Sequence, residues 1–369
     1  MYDAIVVGAR CAGSPTAMLL ARAGYRVLLV DRSTFPSDTI STHYIQPDGI
    51  EILQRWGLLD RLRATGCPDI PGVRFVLGGM EMPPPPSASD LPALCPRRTV
   101  LDKLLLDAAR EAGAEVREGF SVRELRRDGD RVTGISGQAA DGSTATEEAR
   151  IVIGADGRES FVARQVGAER YKVHEGSTCG YYSYWSGVET LAGRAELHLS
   201  NQRARFVFPT HDNQVCIACE FPKDLFPTVR ADPETHVLAA FDEVEGLGER
   251  VRRGVRETRW FGLLVGESFY RKPYGPGWAL VGDAGYLKDP ITGLGIDDAF
   301  RDAELLARAI DDGFTGRRDL EAALAEYEET RNNATAMVYE VTHQLATLNP
   351  DPAFLAMMRG APPETSVPA

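Results

Sequence analysis

Residues 1–31 are MYDAIVVGARCAGSPTAMLLARAGYRVLLVD, and their pattern indicates the fold class. The pattern predicts a strand, a glycine turn, a helix and a second strand, at residues 4–7, 8–13, 14–23 and 26–30. Pro15 is tolerated in the first turn of a helix, and Gly24 ends this one. A strand, a crossover helix and a second strand form a right-handed unit with parallel strands. The start of the chain therefore predicts an α/β protein.

The turn of this unit nearly matches the dinucleotide fingerprint Gly-x-Gly-x-x-Gly. Gly8 and Gly13 stand at its ends, but Arg10 occupies the position where a glycine normally lets backbone approach a pyrophosphate. Arg10 could instead lie along the pyrophosphate and compensate in charge. Asp31 ends the second strand, where a carboxylate accepts hydrogen bonds from ribose hydroxyls. The turn therefore predicts a nucleotide site, with a purely structural glycine turn as the alternative.

Two later segments repeat the arrangement of a buried strand followed by a glycine loop. GADGRES, residues 154–160, follows a predicted strand, and GDA, residues 282–284, follows another and leads into a predicted helix at 296–310. In order and spacing, the three motifs resemble the para-hydroxybenzoate-hydroxylase-like flavoproteins, which include class A monooxygenases, halogenases and geranylgeranyl reductases. The resemblance covers residues 4–312. It implies a Rossmann-type FAD-binding fold with an inserted antiparallel-sheet substrate domain and a C-terminal helix.

The resemblance also implies which residues hold FAD. Asp156 and Gly157 would lie near the pyrophosphate and a nicotinamide donor, and Asp283 would bind the ribityl chain. Backbone N–H groups at the start of the last motif's helix would favour the anionic reduced flavin. Arg98 would contact the cofactor, with a solvated surface arginine as the alternative. The implied FAD contacts are Gly8, Arg10, Cys11, Ala12, Gly13, Asp31, Arg32, Arg98, Asp156, Gly157, Asp283, Pro290, Gly293, Leu294 and Gly295.

The chain departs from the family pattern in several places. Arg164 falls one residue later than the usual arginine, so its role is not carried over, and Gly285-Tyr286 replaces a common Ala-His pair. The tryptophan motif of tryptophan-type halogenases is absent. No second glycine-rich unit offers a stable dinucleotide site, so NADH or NADPH would bind only transiently as the electron donor.

Aromatic residues on predicted strands are candidates for a substrate pocket. Tyr182 and Tyr184 share one strand face, and Phe206 and Phe208 share a face of theirs, because side chains alternate along a strand. Core packing is the alternative for all four. His43 falls in a segment that runs beside the flavin in the relatives, where it could position substrate or move a proton. A buried, hydrogen-bonded histidine is the alternative.

The predicted domain division follows the motifs. Further predicted elements are a helix at 50–62, another at 99–111, a β-meander at 115–153, an antiparallel sheet at 178–221 and a long helix at 320–348. The predicted domains are an FAD-binding domain of 1–70, 97–175 and 260–315, a substrate domain of 71–96 and 176–259, and a C-terminal helix and tail at 316–369.

Composition excludes several other classes of protein. The net charge of −12 argues against a nucleic-acid partner. No apolar run approaches the ~20 residues of a transmembrane helix, so stable membrane insertion is not expected. Six scattered cysteines fit reduced thiols in a cytoplasm. Cys216 and Cys219 would lie on opposite faces of one strand, so no metal site is predicted. The protein is expected to be a monomer or a homodimer.

Three functions are compatible with these residues. The first is an NAD(P)H-dependent monooxygenase, which would use molecular oxygen and a flavin hydroperoxide to insert one oxygen atom into an aromatic or hydrophobic small molecule. The second is a flavin-dependent reductase of an isoprenoid or other alkene. The third is a non-catalytic FAD-binding protein, because a fold alone does not define a function. The sequence does not identify the substrate.

Overall fold

A computed structural model describes residues 1–83 and 87–358 of the chain. The strands are β1 (Tyr2–Val7), β2 (Val27–Val30), β3 (Asp69–Ile70), β4 (Val73–Leu77), β5 (Met80–Met82), β6 (Ala93–Leu94), β7 (Glu115–Arg117), β8 (Phe120–Asp128), β9 (Arg131–Ala139), β10 (Thr144–Gly154), β11 (Arg170–His174), β12 (Thr178–Ser186), β13 (Ala195–Ser200), β14 (Arg203–Pro209), β15 (Val215–Pro222), β16 (Val255–Arg256), β17 (Phe261–Leu264), β18 (Ser268–Arg271), β19 (Tyr274–Gly275), β20 (Trp278–Leu280) and β21 (Tyr286–Leu287). The helices are α1 (Gly13–Arg22), α2 (Pro47–Arg55), α3 (Leu59–Arg63), α4 (Arg98–Glu111), α5 (Phe161–Gln165), α6 (Phe226–Ala231), α7 (Pro233–Asp242), α8 (Leu247–Arg252), α9 (Gly295–Phe314), α10 (Leu320–Ala346) and α11 (Pro352–Met358).

The first sheet has the order β19-β20-β10-β1-β2-β7 and is parallel from β20 to β7. One face, with Val6 and Leu29, packs on α1, α4 and α9. The other face, with Ile5 and Leu28, packs against the antiparallel strands β8 to β10. Because β1, β10 and β20 are parallel neighbours, the three predicted motifs follow their carboxyl ends at one sheet edge, where ligands of open α/β sheets bind.

The glycines of the first turn are required by close packing. Gly8 has φ of +105°, and a Cβ there would lie 2.3 Å from the carbonyl oxygen of Ala155, in the second motif. A Cβ on Gly13 would lie 1.8 Å from the carbonyl oxygen of Gly8. Neither contact is possible for a larger residue, so the turn brings β1, α1 and the loop after β10 together. This packing confirms the predicted strand, turn and helix.

The second sheet has the order β16-β12-β15-β14-β13-β4-β5, with β17 also paired to β12. It is antiparallel except that β13 and β4 pair in parallel. One face packs on α6, α7 and α8. The opposite face, here called the aromatic face, contains Tyr182, Tyr184, Phe206, Phe208 and Cys216. Cys219 lies on the helix-covered face, as the alternation predicts.

The long C-terminal helix α10 forms hydrogen bonds with β20 of the first sheet and with the segments that flank this strand. The hydroxyl of Tyr327 donates to the carbonyl of Leu280 at 3.0 Å. Fully buried Arg331 donates to the carbonyls of Gly285 and Arg271, both at 3.1 Å. Within the described ranges 1–83 and 87–358, no helix is long and apolar enough to cross a membrane.

Two predicted elements differ from the structure. The single helix predicted at 50–62 is two helices, α2 and α3, because Gly57 between them takes φ of +76°. The first strand of the predicted meander, β7, pairs in parallel with β2, so only β8 to β10 form the meander. Local pattern cannot reveal which sheet a strand joins.

Candidate functional site

A cavity of about 910 Å³ lies between the carboxyl ends of β1, β10 and β20 and the aromatic face of the second sheet. This volume is near the upper end of the roughly 300–1,000 Å³ usual for ligand pockets. Gly13, Gly293 and Leu294 are not among its lining residues. The residues of the predicted FAD set that line it are Gly8, Arg10, Cys11, Ala12, Asp31, Arg32, Arg98, Asp156, Gly157, Asp283, Pro290 and Gly295.

Asp31 stands beside the glycine turn at the end of β2. Its Oδ2 accepts a hydrogen bond from the N–H of Ala9 at 2.7 Å, and its Oδ1 accepts from the N–H of Ser33 at 2.8 Å. An ionised carboxylate has about four acceptor positions, so two remain for hydroxyl groups of a ligand. Asp31 can therefore hold the turn and bind a ribose at the same time.

Arg10 and Arg98 are both held by Asp102, a fully buried residue that sequence reasoning missed. Arg10 also donates to Ser37, and its guanidinium lies over the ring of Phe35. The positive charge of Arg10 is thus already paired inside the protein. Arg98 is buried at the cavity wall rather than solvated. The signal for Asp102 was its position four residues after Arg98 on one helix.

The side chain of Asp156 forms hydrogen bonds within its own loop. Its Oδ2 accepts from the N–H groups of Phe161 and Val162 at 2.7 and 3.1 Å, and its Oδ1 accepts from the hydroxyl of Ser160 at 2.5 Å. These contacts cap the start of α5. The carboxylate therefore orders the second motif, and Gly157, with φ of +77°, follows at the cavity wall.

Asp283 projects into the cavity. Desolvation by nearby protein atoms raises the pKa of its carboxyl group, while the positive charges of Lys288 and Arg98 oppose this rise. The side chain is nevertheless accessible from the cavity, and it makes no hydrogen bond with any residue of the described chain. A cavity-facing carboxylate without a protein partner is suited to accept hydrogen bonds from the hydroxyl groups of a ligand.

A buried charge cluster lies beside Asp283. Lys288 forms an ion pair with Asp298, and Arg301 donates to Asp298 at 2.7 Å and to Asp302 at 2.7 Å. Burial, and secondly the charge of Arg301, lower the pKa of Lys288 to about 7. Sequence reasoning missed Lys288, which lines the cavity two residues before Pro290. Its position just after the third motif was the available signal.

The loop before α9 combines one strained glycine with one unstrained glycine. Gly293 has φ of +65°, whereas Gly295 does not have a left-handed conformation. A Cβ on Gly295 would meet no atom within 4 Å. Gly295 is the first residue of α9 and lines the cavity, so free N–H groups of this helix start beside open space. Three features therefore fit a bound dinucleotide such as FAD. They are the start of α9 beside the cavity, the closely packed glycine turn at residues 8–13, and the Asp283 carboxylate, which has no hydrogen-bond partner within the described chain.

His43 is fully buried and does not line the cavity. Its Nε2 lies 2.8 Å from the hydroxyl of Tyr184, while Nδ1 has no partner among the described residues. Burial first, and then the charges of Arg98 and Arg97, lower the pKa of His43 to about 3. His43 is therefore neutral, and it packs edge-on against Tyr182 at 5.2 Å between ring centroids.

The aromatic face forms the opposite wall of the cavity. Tyr182, Phe206 and Phe208 line it, whereas Tyr184 lies behind them in contact with His43. The ring of Tyr182 stacks on Phe261 with a centroid distance of 5.0 Å. The wall also contains Glu220, a buried carboxyl group that sequence reasoning missed. An aromatic ligand could stack here, opposite the glycine turns.

Comparisons with known proteins agree with this geometry. The chain is 27% identical to the rifampicin monooxygenase of Streptomyces venezuelae over 378 residues, covering 97% of this chain and 74% of that protein. It is 29% identical to the digeranylgeranylglycerophospholipid reductase 2 of Methanopyrus kandleri over 349 residues, covering 89% and 82%. The structure of the myxobacterial chondrochloren halogenase CndH, an FAD-dependent halogenase, has a TM-score of 0.86 and 23% identity over 99% of this chain and 87% of that one.

The names of these similar proteins describe different reactions, so the similarity does not identify one substrate. The family model described as FAD binding domain matches residues 1–342, which is most of the chain. The cavity fits that assignment, because its glycine turns, Asp31 and Asp283 are arranged for a dinucleotide. The chain belongs to the FAD-binding domain family of flavin-dependent oxidoreductases, whose members include monooxygenases and geranylgeranyl reductases.

Proposed function

We propose that the protein is an FAD-dependent monooxygenase that takes electrons from NADH or NADPH and inserts one oxygen atom into an aromatic or hydrophobic small molecule. The observation that carries the proposal is the cavity itself. One end has the glycine turn and Asp31, and the other end has the aromatic wall of Tyr182, Phe206 and Phe208. A dinucleotide and an aromatic ring would thus share one enclosed space.

The protein's own residues would bind and orient both molecules. Asp31 would accept hydrogen bonds from ribose hydroxyls, Asp283 would accept from the ribityl chain, and the start of α9 would direct N–H groups at the flavin. Bound FAD would supply the redox chemistry with molecular oxygen. The aromatic wall would orient the substrate and keep water out, which limits wasteful release of hydrogen peroxide.

The electron donor would bind transiently at the mouth of the cavity. Arg32, Arg123 and Arg158 line the cavity, and no guanidinium group of the three donates a hydrogen bond to another residue of the described chain. Unpaired guanidinium groups bind phosphate well. This favours a phosphate-bearing donor such as NADH or NADPH. The predicted domain division, with FAD on the first sheet and substrate on the second, fits this arrangement.

A flavin-dependent reductase of an alkene is the second candidate. It is favoured by the 29% identity to the Methanopyrus kandleri reductase over 82% of that protein. A non-catalytic FAD-binding protein is the third. All six cysteines are buried and free of disulfide bonds. For each of the three candidates, reduced thiols support a cytoplasmic location.

The decisive experiment follows the visible spectrum of the FAD-loaded protein mixed with NADH or NADPH, with and without oxygen. A monooxygenase would be reduced by the donor and would show an oxygen-dependent spectral transient. Reduction without any such transient, in the presence of an alkene acceptor, favours the reductase. No reduction by either donor favours the non-catalytic protein.

A matched pair of variants tests the donor site separately. Arg158→Gln should raise the donor concentration needed for half-maximal reduction several-fold, because a phosphate loses a cationic partner. Arg126→Gln, which changes an exposed arginine of β8 outside the cavity lining, should leave that concentration unchanged. Equal behaviour of the two variants would contradict the donor site.

A further inference from the structure

Glu220 is a carboxylic acid buried in the aromatic wall without a cationic partner. The residue is 5% exposed and lines the cavity, and its Oε2 has no hydrogen-bond partner among the described residues. No arginine, lysine or histidine of residues 1–83 and 87–358 forms a salt bridge with it. An unpaired buried carboxylate would be costly, so the group is expected to hold its proton.

The neighbouring acid strengthens this expectation. Asp289, on the loop before Pro290, accepts hydrogen bonds from the hydroxyl of Thr178 at 2.9 Å and from the N–H of Ile291 at 3.0 Å. Burial first, and then the charge of Asp289, raise the pKa of Glu220 well above its ordinary value. The Asp289 carboxylate accepts two hydrogen bonds, whereas the side chain of Glu220 accepts none from the described residues. The two acids share one negative charge, which therefore rests on Asp289, and Glu220 keeps its proton.

Strand register shows what surrounds Glu220. On the aromatic face, Ala218 of β15 is flanked by Tyr182 and Phe206 on the adjacent strands. The next row along the same face is Glu220, flanked by Gly180 and Ala204. Side chains two residues apart on a strand are separated by about 7 Å, which is about the length of one aromatic ring. The row of Ala218 therefore carries two aromatic rings. The adjacent row of Glu220 carries only small residues beside the acid.

Gly180 keeps this second row open. A Cβ at Gly180 would lie 3.4 Å from Cγ of Glu220, so an alanine would just touch the acid and a larger side chain would occupy the space beside it. Gly180 itself lines the cavity. The recess over Glu220 thus has small residues at its sides, a proton donor at its base and aromatic rings next to it.

We infer that Glu220 is a specificity-determining residue that donates a hydrogen bond to an uncharged acceptor oxygen, such as a ketone carbonyl, on an aromatic ligand stacked against Tyr182 and Phe206. The inference rests on the proposed function only in assigning the remaining part of the cavity to FAD. Other titratable groups around Glu220 are the Asp289 carboxylate and the thiols of Cys179 and Cys219.

The test compares two probes of nearly equal shape on the oxidised, FAD-loaded protein without nicotinamide. 2-Acetylnaphthalene has a carbonyl oxygen, and 2-isopropenylnaphthalene has a CH2 group in its place. Calorimetric titration should show that the ketone binds about fivefold more tightly, as one hydrogen bond allows. Glu220→Gln keeps an N–H donor and should keep the preference, whereas Glu220→Leu should abolish it. Glu249→Gln, on α8 at an exposed ion pair with Arg253 and outside the cavity lining, is the matched control and should change nothing.

Two more measurements make the inference falsifiable. Difference infrared spectra at neutral pH should show a protonated carboxylic acid that Glu220→Gln removes. Gly180→Val should fill the recess and weaken ketone binding at least fivefold without loss of FAD. An unchanged preference in Glu220→Leu, or failure of both naphthalenes to bind the wild-type protein, would overturn the inference. Reduction by NADH or NADPH is not part of this assay, so failure of the monooxygenase proposal is a separate result.

Discussion

Asp102 and Arg98 form a buried ion pair at the wall of the cavity. Oδ1 of Asp102 accepts hydrogen bonds from Nε and Nη2 of Arg98 at 3.0 and 2.9 Å. The same carboxylate also accepts from Arg10, in the glycine turn, and from the thiol of Cys11 at 3.3 Å. One carboxylate thus connects helix α4 to the turn that would hold the pyrophosphate, and two arginines share its single negative charge.

Removal of this carboxylate should destabilise the protein and weaken FAD binding. Asp102→Ala leaves two neighbouring guanidinium groups without their anion, and breaking a buried pair in this way costs about 3–5 kcal/mol. Asp107→Ala is the control, because Asp107 lies on the same helix and pairs with Lys103 and Arg110 at the surface. Such surface pairs contribute about 0–1 kcal/mol each. Denaturant unfolding and flavin content after gel filtration measure both effects, and equal losses in the two variants would contradict this role of Asp102.

Asp31→Ala should lose both FAD and some stability. The variant removes the acceptor for two backbone N–H groups and, in the proposed complex, the acceptor for ribose hydroxyls. Each hydrogen bond to a charged group contributes about 1.5–3 kcal/mol. Asp3→Ala is the matched control, since Asp3 accepts from the N–H of Arg26 at 2.9 Å but lies outside the cavity lining. Full flavin occupancy in Asp31→Ala after dilution and gel filtration would remove Asp31 from the site.

His43 should make the protein sensitive to acid. The pKa of His43 is about 3 in the folded protein and about 6.5 in the unfolded chain. Between these values the unfolded chain binds a proton that the folded protein does not. Stability from the neutral histidine is therefore complete above pH ~6.5 and falls with pH by about 1.4 kcal/mol per unit down to pH ~3.

The variant His43→Asn isolates this effect. Asparagine tolerates the positive φ of 64° at this position but does not titrate. The difference in unfolding free energy between wild type and His43→Asn should shift against the wild type as the pH falls from 6 to 4. His236→Asn, on helix α7 at the surface, is the control. A difference that stays constant over this pH range would mean that His43 is already protonated in the folded protein.

The sequence predicted the parts of the site that depend on local pattern. The strand, turn and helix around Gly8 follow from periodicity and turn chemistry, and the alternation that puts Tyr182 and Tyr184 on one face is confirmed. The spacing of Asp102 from Arg98 is a local signal, but its contacts with Arg10 and Cys11 and the burial of Glu220 arise between distant segments, so both residues were missed. A helical Asp and a strand Glu have no local feature that reveals burial. The parallel pairing of β4 with β13 is likewise a non-local choice between two possible sheets.

The same distinction applies to the two glycines of the loop before α9, because the sequence does not tell which of them takes a left-handed conformation. Gly295, the first residue of α9, has no positive φ, and a Cβ there would meet no protein atom within 4 Å. Gly293, two residues earlier, is the glycine with a left-handed conformation. Any effect of a side chain at Gly295 must therefore come from what occupies the cavity.

Gly295→Val should fold normally but lower the reduction potential of bound FAD. The first N–H groups of α9 would stabilise the negative charge of the reduced flavin more than the neutral oxidised form. A valine side chain would extend into the cavity and hold the ring away from these groups, so reduction by NADH or NADPH should also slow. Potentiometric titration of the bound flavin, with circular dichroism as the folding measurement, tests this expectation.

Gly293→Val is the matched control for this last variant. A side chain at its φ of +65° should cost about 1–2 kcal/mol of stability, whereas Gly295→Val should cost little. Comparison of the two variants distinguishes backbone strain, which is expected at Gly293, from contact with the cofactor, which is expected at Gly295. Of these two glycines, Gly295 lines the cavity and Gly293 does not. A folded Gly295→Val protein with the parental FAD content, potential and reduction rate would mean that the start of α9 does not contact the flavin. In that case the flavin ring would have to lie elsewhere in the cavity, and the ligand space at the aromatic face would have to be assigned again.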